Sequence, residues 1–331
     1  MKWCYQFYKA ASPAHVERSV PILKNLSLLS KVLYQEFRDV HPDSQIDLKE
    51  EGLMMIYQTE AVEKEEIEFA HLAKANGLQA DILTPADIRT FEPNLEVKAR
   101  GAVRFPGDAH LDPGKLYGFL KSYLQVKGVK FLPNTQVTAF EKSGNSVNAV
   151  ITDKGKIDVG KVILAGGSWS GELADMLGFN LPMMGGKGYS FLQDNKPKIM
   201  QSSILTESKV AVSPYGNQIR FGGTMEIAGT NQKINLNQVK GIFESINRFY
   251  PEFEAKFPEE NKIWKGLRPC SPDGLPYIGH APGYSNVMVN SGHSMMGISL
   301  APASGKIISE LHQRKNTTLE LTGFEVGRYS K

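Results

Sequence analysis

Cysteine is scarce in this chain: its 331 residues include only Cys4 and Cys270. Two thiols make no disulfide framework, and no C-x-x-C pair offers zinc its closely spaced thiolates, so a reducing, cytoplasmic compartment and no metal are expected. Long apolar runs are also lacking. None reaches the roughly 20 residues that span a bilayer, and the opening M-K-W-C-Y-Q-F-Y-K has no signal-peptide core, so any membrane contact is expected to be peripheral. Charge is nearly balanced, 38 Lys and Arg against 35 Asp and Glu, a formal +3. With the basic residues scattered, that excess excludes a nucleic-acid stripe. Internal repeats, low-complexity tracts and long linkers are missing too, which argues against solenoids and beads on a string.

What is present is an ordinary globular composition, 41% hydrophobic and 22% charged, long enough for a large core and two domains. The stretch from Trp264 to Leu311 is the most informative. It reads W-K-G-L-R-P-C-S-P-D-G-L-P-Y-I-G and then N-V-M-V-N-S-G-H-S-M-M-G-I-S-L-A-P-A-S-G-K-I-I-S-E-L. Val287 to Asn290 predicts a short strand, Gly292 and Gly297 bracket a turn, and Ile298, Leu300, Ile307, Ile308 and Leu311 share a helical face. A helix that begins beside a bend poor in side chains presents unpaired N–H groups and the positive end of its dipole, a place for an anion or an electron-rich ring. Arg268 lies among turn residues, so a loop is expected to hold its guanidinium, and a guanidinium so held can clamp a carboxylate through two hydrogen bonds. A surface arginine beside an ordinary strand-turn-helix is the structural alternative.

Elsewhere the chain alternates. Residues 13–40 predict a helix that Pro21 resets, 52–57 a strand, and 63–76 a helix ended by Gly77. Thr84-Pro85 and Asp112-Pro113 each predict a capped helix, and Val129 to Leu132 a strand. Val147–Thr152 and Lys156–Asp158 flank a turn, and Val162 to Ala165 runs into Gly166-Gly167, which serves either a close ligand approach or a tight turn into a helix. From 181 to 227 glycines and hairpin signals predict a β-rich segment, one wall of a substrate chamber, before an amphipathic helix near 239–250.

Several of these stretches resemble one family. V-I-L-A-G-G-S-W-S, G-K-G-Y-S-F, I-R-F-G-G-T-M-E, W-K-G-L-R-P-C-S-P-D-G-L-P-Y-I-G, S-G-H-S-M-M-G-I-S-L-A-P and V-G-R-Y-S follow the order seen in the D-amino-acid dehydrogenase small-subunit family of the FAD-dependent D-amino-acid oxidase superfamily. The resemblance implies a mixed α/β fold, with an FAD-binding doubly wound domain (107–178 and 276–331) interleaved with an antiparallel-sheet substrate domain (1–106 and 179–275). It implies oxidative deamination of a D-amino acid by hydride transfer to FAD, with a quinone as candidate electron acceptor and peripheral contact at the inner membrane. Val137, Gly166, Gly167, Gly292, Met296, Gly297 and Ile298 are expected against the cofactor, and Arg268 on the substrate carboxylate. His293 is expected either to face flavin or substrate or to be bonded within the turn; Tyr57, Tyr189 and Tyr277 are expected either in the chamber or in the core. Glycine oxidase has a further arginine near the position of Met295, where this chain has methionines.

One element of that family's pattern is missing from the sequence. The G-x-G-x-x-G turn that receives a dinucleotide pyrophosphate does not occur, since Gly186-x-Gly188 continues to Phe191. The first βαβ unit is therefore expected to lie outside this numbering. The alternative expectation is a degenerate, non-catalytic module that binds a small carboxylate or a partner.

Overall fold

A computed structural model describes residues 2–227 and 229–330. The helix α1 (Lys2–Ala10) leads into α2 (Pro13–Val40), which begins where the Ser12 hydroxyl accepts from the His15 N–H and Pro13 presets the first turn. Contrary to the expected reset, α2 runs unbroken through Pro21. Burial of Leu26 against Leu300, Ala303 and Ile307 offsets the hydrogen bond that Pro21 cannot make. Next come β1 (Leu53–Tyr57), α3 (Glu60–Ala75), β2 (Asp81–Leu83), α4 (Pro85–Phe91) and β3 (Gly101–Phe105). In α4 the Thr84 and Asp87 side chains cap each other's backbone N–H groups.

Asp112 accepts from the Gly114 N–H and starts α5 (Pro113–Val126). The expected strand at 129–132 does not form. Among the described residues no strand runs beside it, and the Val129 N–H turns back to the Leu124 carbonyl. A meander follows: β4 (Val137–Ser143), β5 (Ser146–Thr152) and β6 (Gly155–Asp158). After β7 (Val162–Leu164) and α6 (Ser170–Leu177) come β8 (Met184–Asp194), β9 (Ser203–Leu205), β10 (Val210–Tyr215) and β11 (Gln218–Ile227). The helix α7 (Leu236–Phe249), β12 (Trp264–Cys270), β13 (Tyr277–His280), β14 (Val287–Ser291) and α8 (Gly297–His312) complete the fold.

Two sheets matter most for the site. The first has eight strands in the order β12-β8-β11-β10-β9-β1-β3-β2, and its Phe191, Phe221 and Ile219 pack against Val239, Ile242 and Ile246 of α7. The second has the order β13-β14-β7, with β14 parallel to β7, Val289 opposite Leu164. Arg268 therefore lies on a strand and not in a loop. The edge position of β12 explains how Pro269, which has no N–H to give, can sit there.

Candidate active site

The parallel strands β7 and β14 both end in glycine turns, Gly166-Gly167 and Gly292. Open parallel sheets bind ligands beyond the carboxyl ends of their strands, so adjacent turns there make a natural cofactor edge. At Gly292 the chain takes φ +82°, and a methyl built there would lie 2.8 Å from Tyr277 Cδ2, so glycine is needed twice over. Serines hold the turns together. Ser170 Oγ donates to Ser291 Oγ (2.9 Å), which donates to the Gly167 carbonyl (3.1 Å).

Both turns are also fixed to β12. Ser168 Oγ donates to the Leu267 carbonyl (3.3 Å), and the backbone of His293 bridges that of Cys270. Arg268 is thereby brought within one strand's end of the bend at 292–297. Its side chain lies flat across β8: a methyl on Gly188 would sit 2.5 Å from Arg268 Cζ. One hydrogen bond steers the group, from Nη1 to the Thr224 carbonyl (2.7 Å). Burial draws the guanidinium below its ordinary value, Cys270 pulls the opposite way, and Arg220, the smallest of the three influences, pushes it down again. Among the described residues no carboxylate pairs with it, so its remaining donors are open to one.

The residues of the turns fit the ring end of a flavin. No side chain caps the N-terminus of α8, which leaves first-turn N–H groups without side-chain partners, and Met296, Ile298 and Trp169 offer apolar surface, 42%, 45% and 41% exposed. Donors toward the electron-rich edge of a ring, with apolar atoms beside its plane, are what such a group requires. Gly166, Gly167, Gly292, Met296, Gly297 and Ile298 belong to these two turns. Val137 sits in a different sheet, in register with Thr152 on β5.

Three expected side chains lie elsewhere. Tyr57 is buried beneath α3 with Ala70, Ala73 and Val103, and four strands separate β1 from β12, on the order of 24 Å at sheet spacing. Tyr189 points to the opposite face of β8 from Gly188, where its hydroxyl donates to Glu226 (2.7 Å) and accepts from the Asn235 N–H (3.1 Å). His293 directs Nε2 at Ser304 Oγ (3.0 Å) inside α8, and burial pushes its pKa down to about 4. The imidazole is therefore neutral near pH 7 and turned into the fold. Two cavities, about 320 and 440 Å³, open at the Lys161–Asn286 end of β7 and β14 and beside Lys187, and neither is lined by Arg268.

The sequence reading missed Thr224, Arg220 and Trp264. Arg220 shares the face of Arg268, with its Nε donating to Ser190 Oγ (3.0 Å) and its Cζ 5.2 Å from the Trp264 ring centroid. Strict alternation along β8 and β11 was the signal available.

A parallel sheet that ends in joined glycine turns, an uncapped helix beside them and, on the strand tied to them, an arginine without a carboxylate partner are features that a dinucleotide-dependent oxidoreductase can use. The chain belongs to the FAD-dependent oxidoreductase family, whose model matches residues 2–311. It is 31% identical over 316 residues to the D-amino acid dehydrogenase of Helicobacter pylori, covering 94% of this chain and 74% of that one. It is 28% identical over 338 residues to the D-amino acid dehydrogenase of Neisseria gonorrhoeae, covering all of this chain and 80% of that one. The fold is similar to that of glycine oxidase from Geobacillus kaustophilus, with a TM-score of 0.84 at 24% identity over 97% of this chain and 84% of that one. L-Proline dehydrogenase from P. horikoshii gives a TM-score of 0.80 at 20% identity, covering 92% of this chain and 82% of that one. Among the described residues no helix is long and apolar enough to cross a membrane, and no cluster of side chains could hold a metal ion.

Proposed function

We propose that this protein oxidises a D-amino acid at its α-carbon, with Arg268 holding the substrate carboxylate. The observation that carries this reading is the unpaired guanidinium laid across Gly188, beside the two joined glycine turns. FAD, when bound, supplies the acceptor for the hydride. The chain's own residues orient and stabilise. Arg268 would fix the carboxylate through two hydrogen bonds, so that the Cα–H of the bound acid faces the turns, and catalysis is then largely positioning. The first-turn N–H groups of α8 favour negative charge at the Gly292–Ile298 bend. With His293 directed at Ser304, no side-chain base is assigned, and the amine enters in its neutral form. The imino acid formed is hydrolysed by water to the 2-oxo acid and ammonia.

A quinone at a membrane surface completes this reading as electron acceptor. Relatives named as dehydrogenases favour an acceptor other than oxygen, and α1, where Tyr5, Phe7 and Tyr8 are 59%, 53% and 78% exposed beside Lys9, favours the membrane contact. Co-sedimentation with anionic vesicles tests the membrane contact: recovery of the protein entirely in the supernatant removes it. For the reaction itself, the protein is supplied with FAD and the visible flavin band followed after adding D-alanine, D-proline or D-glutamate without oxygen. The band should fade with at least one of them, and no fading with any D-amino acid overturns the proposal.

A further inference from the structure

Two arginines, not one, look onto the face of the sheet that carries the candidate site. In register, Arg268 faces Gly186, Trp264 faces Ser190, Ser190 faces Gly222 and Arg220 faces Leu192, so all project from the same side of β12, β8 and β11. Between them the floor is nearly bare: Gly188, Ser190 and Gly222 raise no side chain larger than a hydroxymethyl group, while the Met225 sulfur covers Gly186 at the Arg268 end. The two guanidinium groups lean toward each other across it. That of Arg268 rests on Gly188, and Arg220 is anchored at Ser190, two residues and roughly 7 Å further along β8.

Like charges brought together on a half-buried surface repel, and nothing on the chain cancels that repulsion with a negative charge. Proteins ordinarily relieve this with a carboxylate. Here, among the described residues, Arg220 has Ser190, the neighbouring Tyr215 hydroxyl and the face of Trp264 but no carboxylate, and Arg268 has only the Thr224 carbonyl. Neither guanidinium is neutralised by a carboxylate of the chain, and the face of the indole attracts the Arg220 cation while leaving its charge in place. An amino acid that carries a second carboxylate supplies the missing charge for both.

Resting on the proposed oxidation of a D-amino acid, we infer that Arg220 is a specificity-determining residue and that the site selects acidic substrates of the D-glutamate or D-aspartate class. The α-carboxylate binds Arg268 and the side-chain carboxylate binds Arg220. The Trp264 ring holds the second guanidinium in place.

The test uses ligands that cannot be oxidised, so that its outcome is independent of flavin turnover. The full chain with FAD present is titrated by calorimetry with glutarate, succinate and propionate. At least one dicarboxylate should bind about ten- to a hundredfold more tightly than propionate, the range expected for one added hydrogen bond between charged groups. In R220M that ratio should fall to near one, whereas R220K, which keeps the charge, should retain part of it. A ratio near one in the unaltered protein, or one that survives in a folded R220M, overturns the inference. If the ratio behaves as expected but no D-amino acid fades the flavin, the oxidation reading fails and the two-arginine anion site stands. If D-alanine fades the flavin and the ratio is near one, the inference alone fails.

Discussion

Replacing Gly188 with alanine tests the carboxylate clamp without touching the arginine that forms it. The added methyl would lie 2.5 Å from Arg268 Cζ, well inside van der Waals contact, while the other side of β8 is unaffected. What yields is the end of a flexible side chain. Gly188 is not among the glycines with positive φ, so alanine fits the backbone, and a strand interior gains about 0.5 to 1 kcal/mol from the change. Against that gain stands the hydrogen bond from Arg268 to the Thr224 carbonyl, worth about 1.5 to 3 kcal/mol for a charged donor and less here because water can replace it. Net destabilisation is expected near 1 kcal/mol, a fall in Tm of about 2 to 4 °C.

Affinity for a carboxylate should suffer much more. A guanidinium lifted off the sheet loses the geometry for two parallel hydrogen bonds, and a loss of about 1.5 to 3 kcal/mol corresponds to roughly 10- to 150-fold weaker binding. Titration of propionate into the wild-type and G188A proteins, each checked by thermal melting, measures both quantities. A folded G188A that binds propionate as tightly as the wild type would falsify the placement of the substrate carboxylate on Arg268.

Three further outcomes follow from contacts outside the clamp. Tyr189→Phe removes the donor to Glu226 and the acceptor of the Asn235 N–H, so stability in urea should drop by about 1 to 3 kcal/mol; because Tyr189 faces away from Gly188, weaker propionate binding in the folded variant would place it in the chamber after all. Asp273→Asn leaves the Arg328 guanidinium, bonded at 2.7 and 2.9 Å and stacked 3.9 Å from the Tyr277 ring centroid, buried without its charge partner, and about 3 to 5 kcal/mol should be lost; wild-type stability in the variant would refute the ion pair as a tether for the closing segment. Burial holds His293 near 4, below its ordinary 6.5, so the unfolded chain binds a proton first and stability, complete above about pH 6.5, falls toward pH 4 by up to about 3 kcal/mol. His293→Asn should flatten that acid limb in urea titrations, and an unchanged limb would show that another group causes it.

How legible these features were depended on whether they were local. The strand at 287–290, the bend at Gly292 and the start of α8 could be read directly, because β-branched residues, a glycine that must take positive φ and an apolar helical face all act within a few positions. The caps at Thr84 and Asp112 were legible for the same reason. What failed was whatever needed a neighbour. Trp264–Cys270 looked like loop because of Gly266 and Pro269, and only an edge position in an eight-stranded sheet makes Pro269 admissible in a strand. Val129 to Leu132 has the composition of a strand but no strand beside it. The faces of Tyr57 and Tyr189 were undetermined for a related reason: which side of a strand meets a helix is fixed by the packing partner and not by the strand's own residues.

The candidate site lies at the seam between two sheets, and that location explains why glycine and serine dominate it. The proposed clamp on β12 and the proposed cofactor edge on β7 and β14 come from strands that share no ladder, so side chains at the seam have to be small enough for the backbones to approach. Serine hydroxyls then connect what the ladder cannot: Ser168 reaches Leu267, and Ser170 and Ser291 tie the two turns together. The backbone bridge between Cys270 and His293 sets the height of Arg268 above the bend. Larger residues here would separate the arginine from the turns before they disturbed either sheet. The glycines that look like loop punctuation in the sequence are therefore spacers, and the distance they set is the one over which a bound acid must reach the cofactor edge.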